Sequence, residues 1–403
     1  MDAYLERGTE GGKAVTSLKD RACIVGIGQT PYRRGKVPDG TNLTLQLQAA
    51  EAAIADAGLT SKQIDAVLPF FGLDIAEAFA VNLGIEDLHY QATSHVGGAA
   101  PGAALWNAAM AVNAGIASHV LIPGGWYGYS GRRVRQVVVQ DQTAMSGGLT
   151  ARDYYFPYGL TAPVQWFSFM ARLHMNQFGT KSEHLGAVAV ACRKHAQLNP
   201  AAIMQGKPMT LEDYLATPMI SDPYRLFDCS LEADGACAFV VTTAERARDL
   251  KQKPVYLMGF GQGQPYPSDA IVTRDDPFNL GLTAAAPRAF AMAGITAKDV
   301  DFAEVYDPFT FQVIQQLEEA GFCKRGEGGP FVEGGRIELG GELPVNTHGG
   351  LLSEAHVLGM NHIVEAVHQL RGDAGERQVK GAEIGVVTGF GDFGDGSFSI
   401  LRR

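Results

Sequence analysis

The chain has 403 residues, 46% of them hydrophobic and 19% charged, which excludes wholesale disorder and allows two or three domains' worth of buried core. A formal charge of −10 gives no basic excess for nucleic acid or an anionic membrane surface, and no apolar run reaches the ~18 residues of a spanning helix. The five cysteines are odd in number and form no CxxC pair, so they read as a reduced, cytoplasmic protein without disulfide framework or zinc finger.

A polar lead, Met1 to Lys19, carries no signal-peptide apolar block and is expected to be flexible. Ala22 to Gly28 (ACIVGIG) then reads as a buried strand. Leu43 to Ala57 has apolar residues at helical spacing, closed by Gly58. Asp65 to Phe71 is a second strand, Pro101 to Ala114 an Ala-rich helix, and His119 to Pro123 a strand ending at Gly124-Gly125. From there to about Asp222 the texture turns aromatic and mixed, with helical stretches at Pro163–Phe178 and His184–Gln197, before the strand pattern resumes at Cys237 to Thr243.

The second half repeats the order. Strands are predicted at Val255–Gly259 and Asp301–Val305, helices at Leu282–Ala293, Phe309–Ala320 and Glu354–Leu370, and closing strands at Ile384–Thr388 and Ser397–Leu401. Ala55 to Ala66 (ADAGLTSKQIDA) and Ala291 to Phe302 (AMAGITAKDVDF) share six identities in twelve positions at a shift of 236. Gly97-Gly98 and Gly349-Gly350 each precede a helix and then a buried strand. Together these predict a duplicated α/β core with a less regular insertion in its first half.

Gly389 to Gly394 fits GxGxxG literally, but a final strand follows where a dinucleotide site needs a helix. His362 and His368 are six apart, which is not metal-ligand spacing, and read as exposed helix histidines; no metal site is expected. The chemically dense segments are Glu304-Val-Tyr306-Asp307-Pro308-Phe309, where a strand runs into a helix, and Asn346-Thr-His348-Gly349-Gly350, with His356 six residues later. Loops at strand ends are where α/β enzymes hold functional groups. For both Tyr306 and His356 a structural role competes with a catalytic one at this point.

These residues carry a resemblance to the thiolase superfamily. NTHGGLLSEAHVLGMNH resembles the thiolase segment with its Gly-Gly turn and histidine, placing His356 on that histidine. EVYDPF falls on the element that reads NEAF or HDCF in relatives, and VVTGFGDFGDG on the CxGGG element. The resemblance, spanning about residues 20 to 403, implies an α/β thiolase fold: two duplicated βαβαβαββ halves in a five-layered αβαβα core with an inserted loop domain. The implied division is 1–19 flexible, 20–250 first half with a loop domain at about 125–225, and 251–403 second half.

The departures carry the functional reading. The thiolase nucleophile aligns with Gly98 and the second cysteine with Gly389, so neither is present. The thiolase-like lipid-transfer-protein aldolases share these losses, and the chain resembles them in Tyr306-Asp307 and in the YGLT…QW, FDCSLEADGA and AGFCKRGEGG stretches. That resemblance implies retro-aldol cleavage of a β-hydroxyacyl-CoA. Tyr306 and His356 are the expected catalytic pair, the base left open between them, with His348 and Asp307 expected either to orient them or to serve the structure alone. Backbone N–H groups of Gly98 and Gly391 are the expected enolate donors, Asn346 and Gly349 the expected substrate contacts, and Arg132 and Arg133, with Arg135, are expected either to meet phosphate or to stand in a solvated loop. It further implies coenzyme A as part of the substrate with no tightly bound cofactor, a homodimer, and a small DUF35/OB-fold partner in a heterotetramer, with neither nucleic acid nor membrane as partner. Where the steroid aldolases have a second tyrosine this chain has His356, which leaves steroid specificity open. A thiolase-type acyl-CoA acyltransferase and a non-catalytic lipid or acyl-CoA carrier are the alternatives.

Overall fold

The computed structural model describes residues 18–35, 40–70, 74–133 and 147–403. Most of the polar lead, up to residue 17, and Arg135 lie outside the described residues. The first half runs β1 (Ala22–Gln29), α1 (Asn42–Ala57), β2 (Ala66–Val67), α2 (Ala76–Leu83), β3 (Tyr90–Gln91), α3 (Ala100–Asn113) and β4 (Val120–Tyr127). An insertion carries α4 (Pro163–Phe178), α5 (Ser182–Gln197) and a hairpin of β5 (Met219–Ser221) and β6 (Tyr224–Arg225), after which β7 (Asp234–Thr243) closes the half. The second half runs β8 (Val255–Gly263), α6 (Gly281–Ala293), β9 (Phe302–Glu304), α7 (Thr310–Glu319), α8 (Met360–Arg371), β10 (Ile384–Phe390) and β11 (Gly396–Arg402).

Strand order exposes the duplication. The first half reads β3-β2-β4-β7-β1 and the second β8-β11-β10-β9, so β1, β2, β4 and β7 correspond to β8, β9, β10 and β11. A lone parallel bridge from Ala303 to Val345 stands where a partner of β3 would be. The two half-sheets touch along one edge, where Cys23 pairs Tyr256 and Ile24 pairs Val255.

Period-two alternation explains the layers. In β7, Ala236, Ala238 and Val240 pack with α1 residues such as Ala49 and Ala53, outside the first half-sheet. Cys237, Phe239 and Val241 point the other way, into a cluster with Ala104, Leu105 and Val112 of α3 and Ile363 and Val367 of α8. The same cluster takes Val255 and Leu257 of β8 and Val387 of β10, so α3 and α8 form a middle layer between the half-sheets. On the far face of the second half-sheet, Ala285 and Ala289 of α6 pack with Phe398 and Ile400 of β11. Helices and sheets therefore stack as αβαβα.

The repeated sequence folds the same way twice. Gly58 (φ 75°) and Gly294 (φ 71°) end α1 and α6 in the left-handed conformation. Thr60 and Thr296 then start a 3-10 turn, their N–H groups donating to Gln63 at 2.9 Å and Asp299 at 2.8 Å. The insertion carries the two helices expected in it, Pro163–Phe178 and Ser182–Gln197. Trp166, Phe167, Leu185 and Val188 pack against Phe309, Phe311 and Ile314, which seats α4 and α5 on α7.

Two expectations are corrected. The helix predicted from Glu354 to Leu370 is a short turn, Gly350–Ser353, followed by a non-helical bend and α8 from Met360. Leu358 (φ 63°) and Gly359 (φ 80°) are both left-handed, which no right-handed helix accommodates. His356 therefore sits on the bend, bridged to Glu232. His362, read as exposed, is fully buried.

Candidate active site

Tyr306 follows β9 and is fixed at its backbone. Its N–H donates to Thr388 Oγ1 at 3.1 Å, and its carbonyl accepts from Gln316 Nε2 at 2.6 Å. The ring packs against two glycines. A Cβ on Gly98 would stand 2.3 Å from Tyr306 Cζ and 2.5 Å from its hydroxyl, and one on Gly359 would stand 2.7 Å from Cδ2. The hydroxyl thus rests where a side chain of residue 98 would begin, beside the 3-10 turn Gly97–Ala99 that leads into α3. A Cβ on Gly389 would meet Ser397 Oγ at 2.4 Å and Ala99 Cα at 2.6 Å. Neither position aligned with a thiolase cysteine has room for a side chain.

The Tyr306 hydroxyl lies 3.2 Å from His356 Nε2, and His356 Nδ1 lies 3.2 Å from Ser230 Oγ. The histidine backbone is held on both sides: its N–H donates to the Leu231 carbonyl at 2.9 Å, and its carbonyl accepts from Trp126 Nε1 at 2.7 Å. The Trp126 ring meets the imidazole edge-on, centroids 5.4 Å apart. Burial, with the nearby His362 second, pushes the His356 pKa down to about 4. The imidazole is therefore neutral at pH 7. Burial, then Asp392 and Asp307, raise the Tyr306 pKa, so the phenol holds its proton. A neutral imidazole against a protonated phenol is a proton donor–acceptor pair.

Asp307 stands one layer back. Its carboxylate accepts from Leu351 N–H at 2.8 Å and Leu352 N–H at 3.2 Å and lies 3.1 Å from His362 Nε2, capping the turn that leads to His356. It orients the segment without touching the pair. His348 lies deeper still, Nδ1 2.9 Å from Glu304 and Nε2 3.6 Å from Glu354. Burial and His362 lower its pKa to about 3, and burial lifts Glu354 to about 8. This is an interior polar cluster with no contact to the pair.

Three expected contacts are corrected. The Gly391 N–H donates to the Asp395 carbonyl at 2.8 Å within the β10–β11 turn, so it is not available to an enolate. The Asn346 side chain accepts from Val305 N–H at 2.6 Å and donates to its carbonyl at 2.9 Å, acting as a strand substitute. Gly349 (φ 109°) lies where a Cβ would be 2.9 Å from Ala196 Cβ, so it packs on α5. Gly98 remains the candidate donor, because N–H groups in the first turn of a helix have no intrahelical acceptor. Arg133 is ion-paired with Glu232 and lies 4.0 Å from the Tyr129 ring, while Arg132 is exposed. The five cysteines are free, and burial raises every thiol, Cys229 and Cys323 to about 12. Among the described residues no group of three or more His, Cys, Asp or Glu side chains is placed to hold a metal ion, and no helix is long and apolar enough to cross a membrane.

Sequence reasoning missed Ser230 and Trp126. Ser230 lies inside the quoted FDCSLEADGA stretch, but nothing local ties a serine there to a histidine 126 residues away.

The layered halves define a thiolase fold in which Tyr306, in contact with His356, stands against the glycine at the aligned nucleophile position, and residues 263–403 match the thiolase C-terminal domain-like family. Over 378 residues (92% of this chain, 96% of the relative) the chain is 40% identical to the 17-hydroxy-3-oxo-4-pregnene-20-carboxyl-CoA lyase of Mycobacterium tuberculosis. It is 38% identical over 359 residues (88% and 91%) to the steroid side-chain-cleaving aldolase of Thermomonospora curvata. The solved Ltp2-ChsH2(DUF35) aldolase superposes with a TM-score of 0.89 at 36% identity, over 96% of this chain and 99% of that chain. The chain belongs to the thiolase-like lipid-transfer-protein aldolases.

Proposed function

We propose that the protein is an acyl-CoA carbon–carbon lyase that cleaves a β-hydroxyacyl-CoA to an aldehyde or ketone and a shortened acyl-CoA. The observation that carries this reading is the Tyr306–His356 contact of 3.2 Å, seated on a glycine at the nucleophile position. Acyl transfer through the enzyme needs a nucleophile. Gly98, Gly389 and five protonated thiols argue against one.

His356 is the base. Its lowered pKa leaves Nε2 free, whereas a tyrosinate would have to form against the raised pKa of Tyr306. As Tyr306 takes the β-hydroxyl proton, its own proton passes to His356 Nε2. The hydroxyl electrons form the new carbonyl, the Cα–Cβ bond breaks, and its electron pair becomes the thioester enolate. The Gly98 N–H, at the positive end of α3, receives the enolate oxygen. The proton returns through Tyr306 to Cα, so no water or co-reactant is consumed. Asp307 and His348 hold the surrounding segments.

Coenzyme A enters as part of the substrate, with Arg132 and Arg133 at its phosphates. The aldolase of similar structure is named as a complex with a DUF35 protein. A small OB-fold partner, in a heterotetramer with two copies of this chain, is accordingly proposed. The test is product analysis with purified β-hydroxyacyl-CoA thioesters. Tyr306→Phe and His356→Ala should each reduce kcat by about 10²-fold or more; full activity in both refutes the reading.

A further inference from the structure

We propose that Ser230 is a positioning residue that fixes the tautomer of His356, holding the proton on Nδ1 so that Nε2 faces Tyr306 as an acceptor. The inference deepens the lyase reading and rests on it for its kinetic arm only.

The imidazole lies between two hydroxyls, Ser230 Oγ at 3.2 Å from Nδ1 and Tyr306 Oη at 3.2 Å from Nε2. With neutral histidine, one nitrogen donates and the other accepts. Two arrangements satisfy both contacts: tyrosine donates and serine accepts, or the reverse. The chemistry of the hydroxyls separates them. A phenol, with a reference pKa of ~10, is the more acidic donor, and its oxygen lone pair is delocalised into the ring, making it the poorer acceptor. An aliphatic alcohol is the better acceptor. The favoured state therefore has Tyr306 donating to Nε2 and Nδ1–H donating to Ser230. The other tautomer places a proton on Nε2 and leaves no base opposite the phenol.

The backbone shows that Ser230 is built into this position. The strip that carries it is stitched to both catalytic segments: Ser230 N–H donates to the Pro308 carbonyl at 3.0 Å, two residues beyond Tyr306. Leu231 N–H donates to the Leu351 carbonyl at 2.9 Å, and the Leu231 carbonyl accepts the His356 N–H at 2.9 Å. Upstream, Asp228 accepts from the Tyr214 hydroxyl at 2.8 Å and from Thr310. The serine is thus held in register with the histidine from three sides.

The experiment uses the full chain with its partner, labelled with nitrogen-15 histidine, with the His356 resonances assigned by their loss in His356→Asn. At pH 7 the wild type should show a protonated Nδ1 and an unprotonated Nε2. Ser230→Ala should redistribute the proton between the two nitrogens, and Ser230→Thr, which keeps a hydroxyl, should restore the wild-type pattern. In parallel, Ser230→Ala should lower kcat about tenfold, the scale of one lost hydrogen bond, with KM unchanged, and Ser230→Thr should recover it. A protonated Nε2 in the wild type, an unchanged tautomer in Ser230→Ala, or unchanged kcat in an active Ser230→Ala enzyme each overturns the proposal. If the wild type cleaves no β-hydroxyacyl-CoA, the lyase reading fails, and the nitrogen spectra alone decide the role of Ser230.

Discussion

Placing a single methyl group on residue 98 tests how the site is built. In Gly98→Ala, the Cβ would stand 2.3 Å from Tyr306 Cζ, 2.5 Å from the tyrosine hydroxyl and 2.5 Å from the Phe390 carbonyl oxygen. Ordinary contacts begin near ~3.5 Å, so the tyrosine must retreat by about 1 Å. It has little room to do so, because Gly359 also packs against the ring, where a Cβ would stand 2.7 Å from Cδ2 and 2.8 Å from Cε2. A retreat of that size separates the hydroxyl from His356 Nε2, now 3.2 Å away. Misplacement by ~1 Å at a reacting group costs about 10²-fold in rate, and overpacking a dense interior costs ~1–3 kcal/mol of stability. Steady-state cleavage assays and thermal denaturation of Gly98→Ala should show both losses. The double variant with Tyr306→Ala separates the causes. Removing the ring relieves most of the clash, so Gly98→Ala should cost less stability in that background, though the Phe390 carbonyl still opposes it. A Gly98→Ala enzyme with kcat/KM and melting temperature close to wild type would show that Tyr306 does not occupy the space of a residue-98 side chain, and the account of the site would fall with it.

Three further expectations follow from the same geometry. The His356 pKa, lowered to about 4, means that kcat/KM should hold as pH falls through ~6.5 and decline only towards 4; a decline centred at ~6.5 would contradict a buried neutral base. Folding stability carries the same sign: between ~6.5 and the depressed pKa values of His356 and His348 the unfolded chain binds more protons, so these two groups make stability fall as pH falls, readable as denaturation midpoints in His348→Gln against wild type. Asp307→Asn should cost ~1–2 kcal/mol, because the amide cannot accept from both Leu351 and Leu352 while meeting His362; urea denaturation measures it, and an unchanged midpoint would deny the capping role.

How much of this was legible in the sequence depended on whether the cause was local. Strand and helix periods are local, so β1, α1, α3, α6 and the closing strands fell where apolar spacing put them. The duplicated Gly-x-Thr turn was readable because capping chemistry is written in consecutive residues. The Glu354–Leu370 helix failed for a tertiary reason: Leu358 adopts a left-handed conformation that leucine seldom takes, its side chain packed against the cluster of Phe70, Val96, Ala99 and Ala103. Composition marks a polar residue as polar without saying where its hydrogen bonds go. Asn346 looked like a ligand contact and is a strand substitute; Ser230 looked like nothing and touches the histidine.

The two Gly-Gly turns show why the tyrosine and the missing nucleophile go together. Tyr306 and Asp307 are adjacent in the chain after β9, and each fills space beside a different glycine. Gly98 makes room for the first, and Gly350 for the second, since a Cβ there would stand 2.1 Å from Asp307 Oδ2. Each half of the duplicated fold thus supplies one glycine, and the pair of residues between them fills both vacated volumes. A nucleophile at position 98 and an aromatic side chain at position 306 compete for the same space, so in this arrangement the fold holds one or the other. With the tyrosine in place, covalent acyl transfer loses its attacking atom. In the proposed lyase, proton transfer gains a phenol backed by a neutral histidine, and that exchange of one chemistry for the other turns on a volume no larger than a side chain's first atoms.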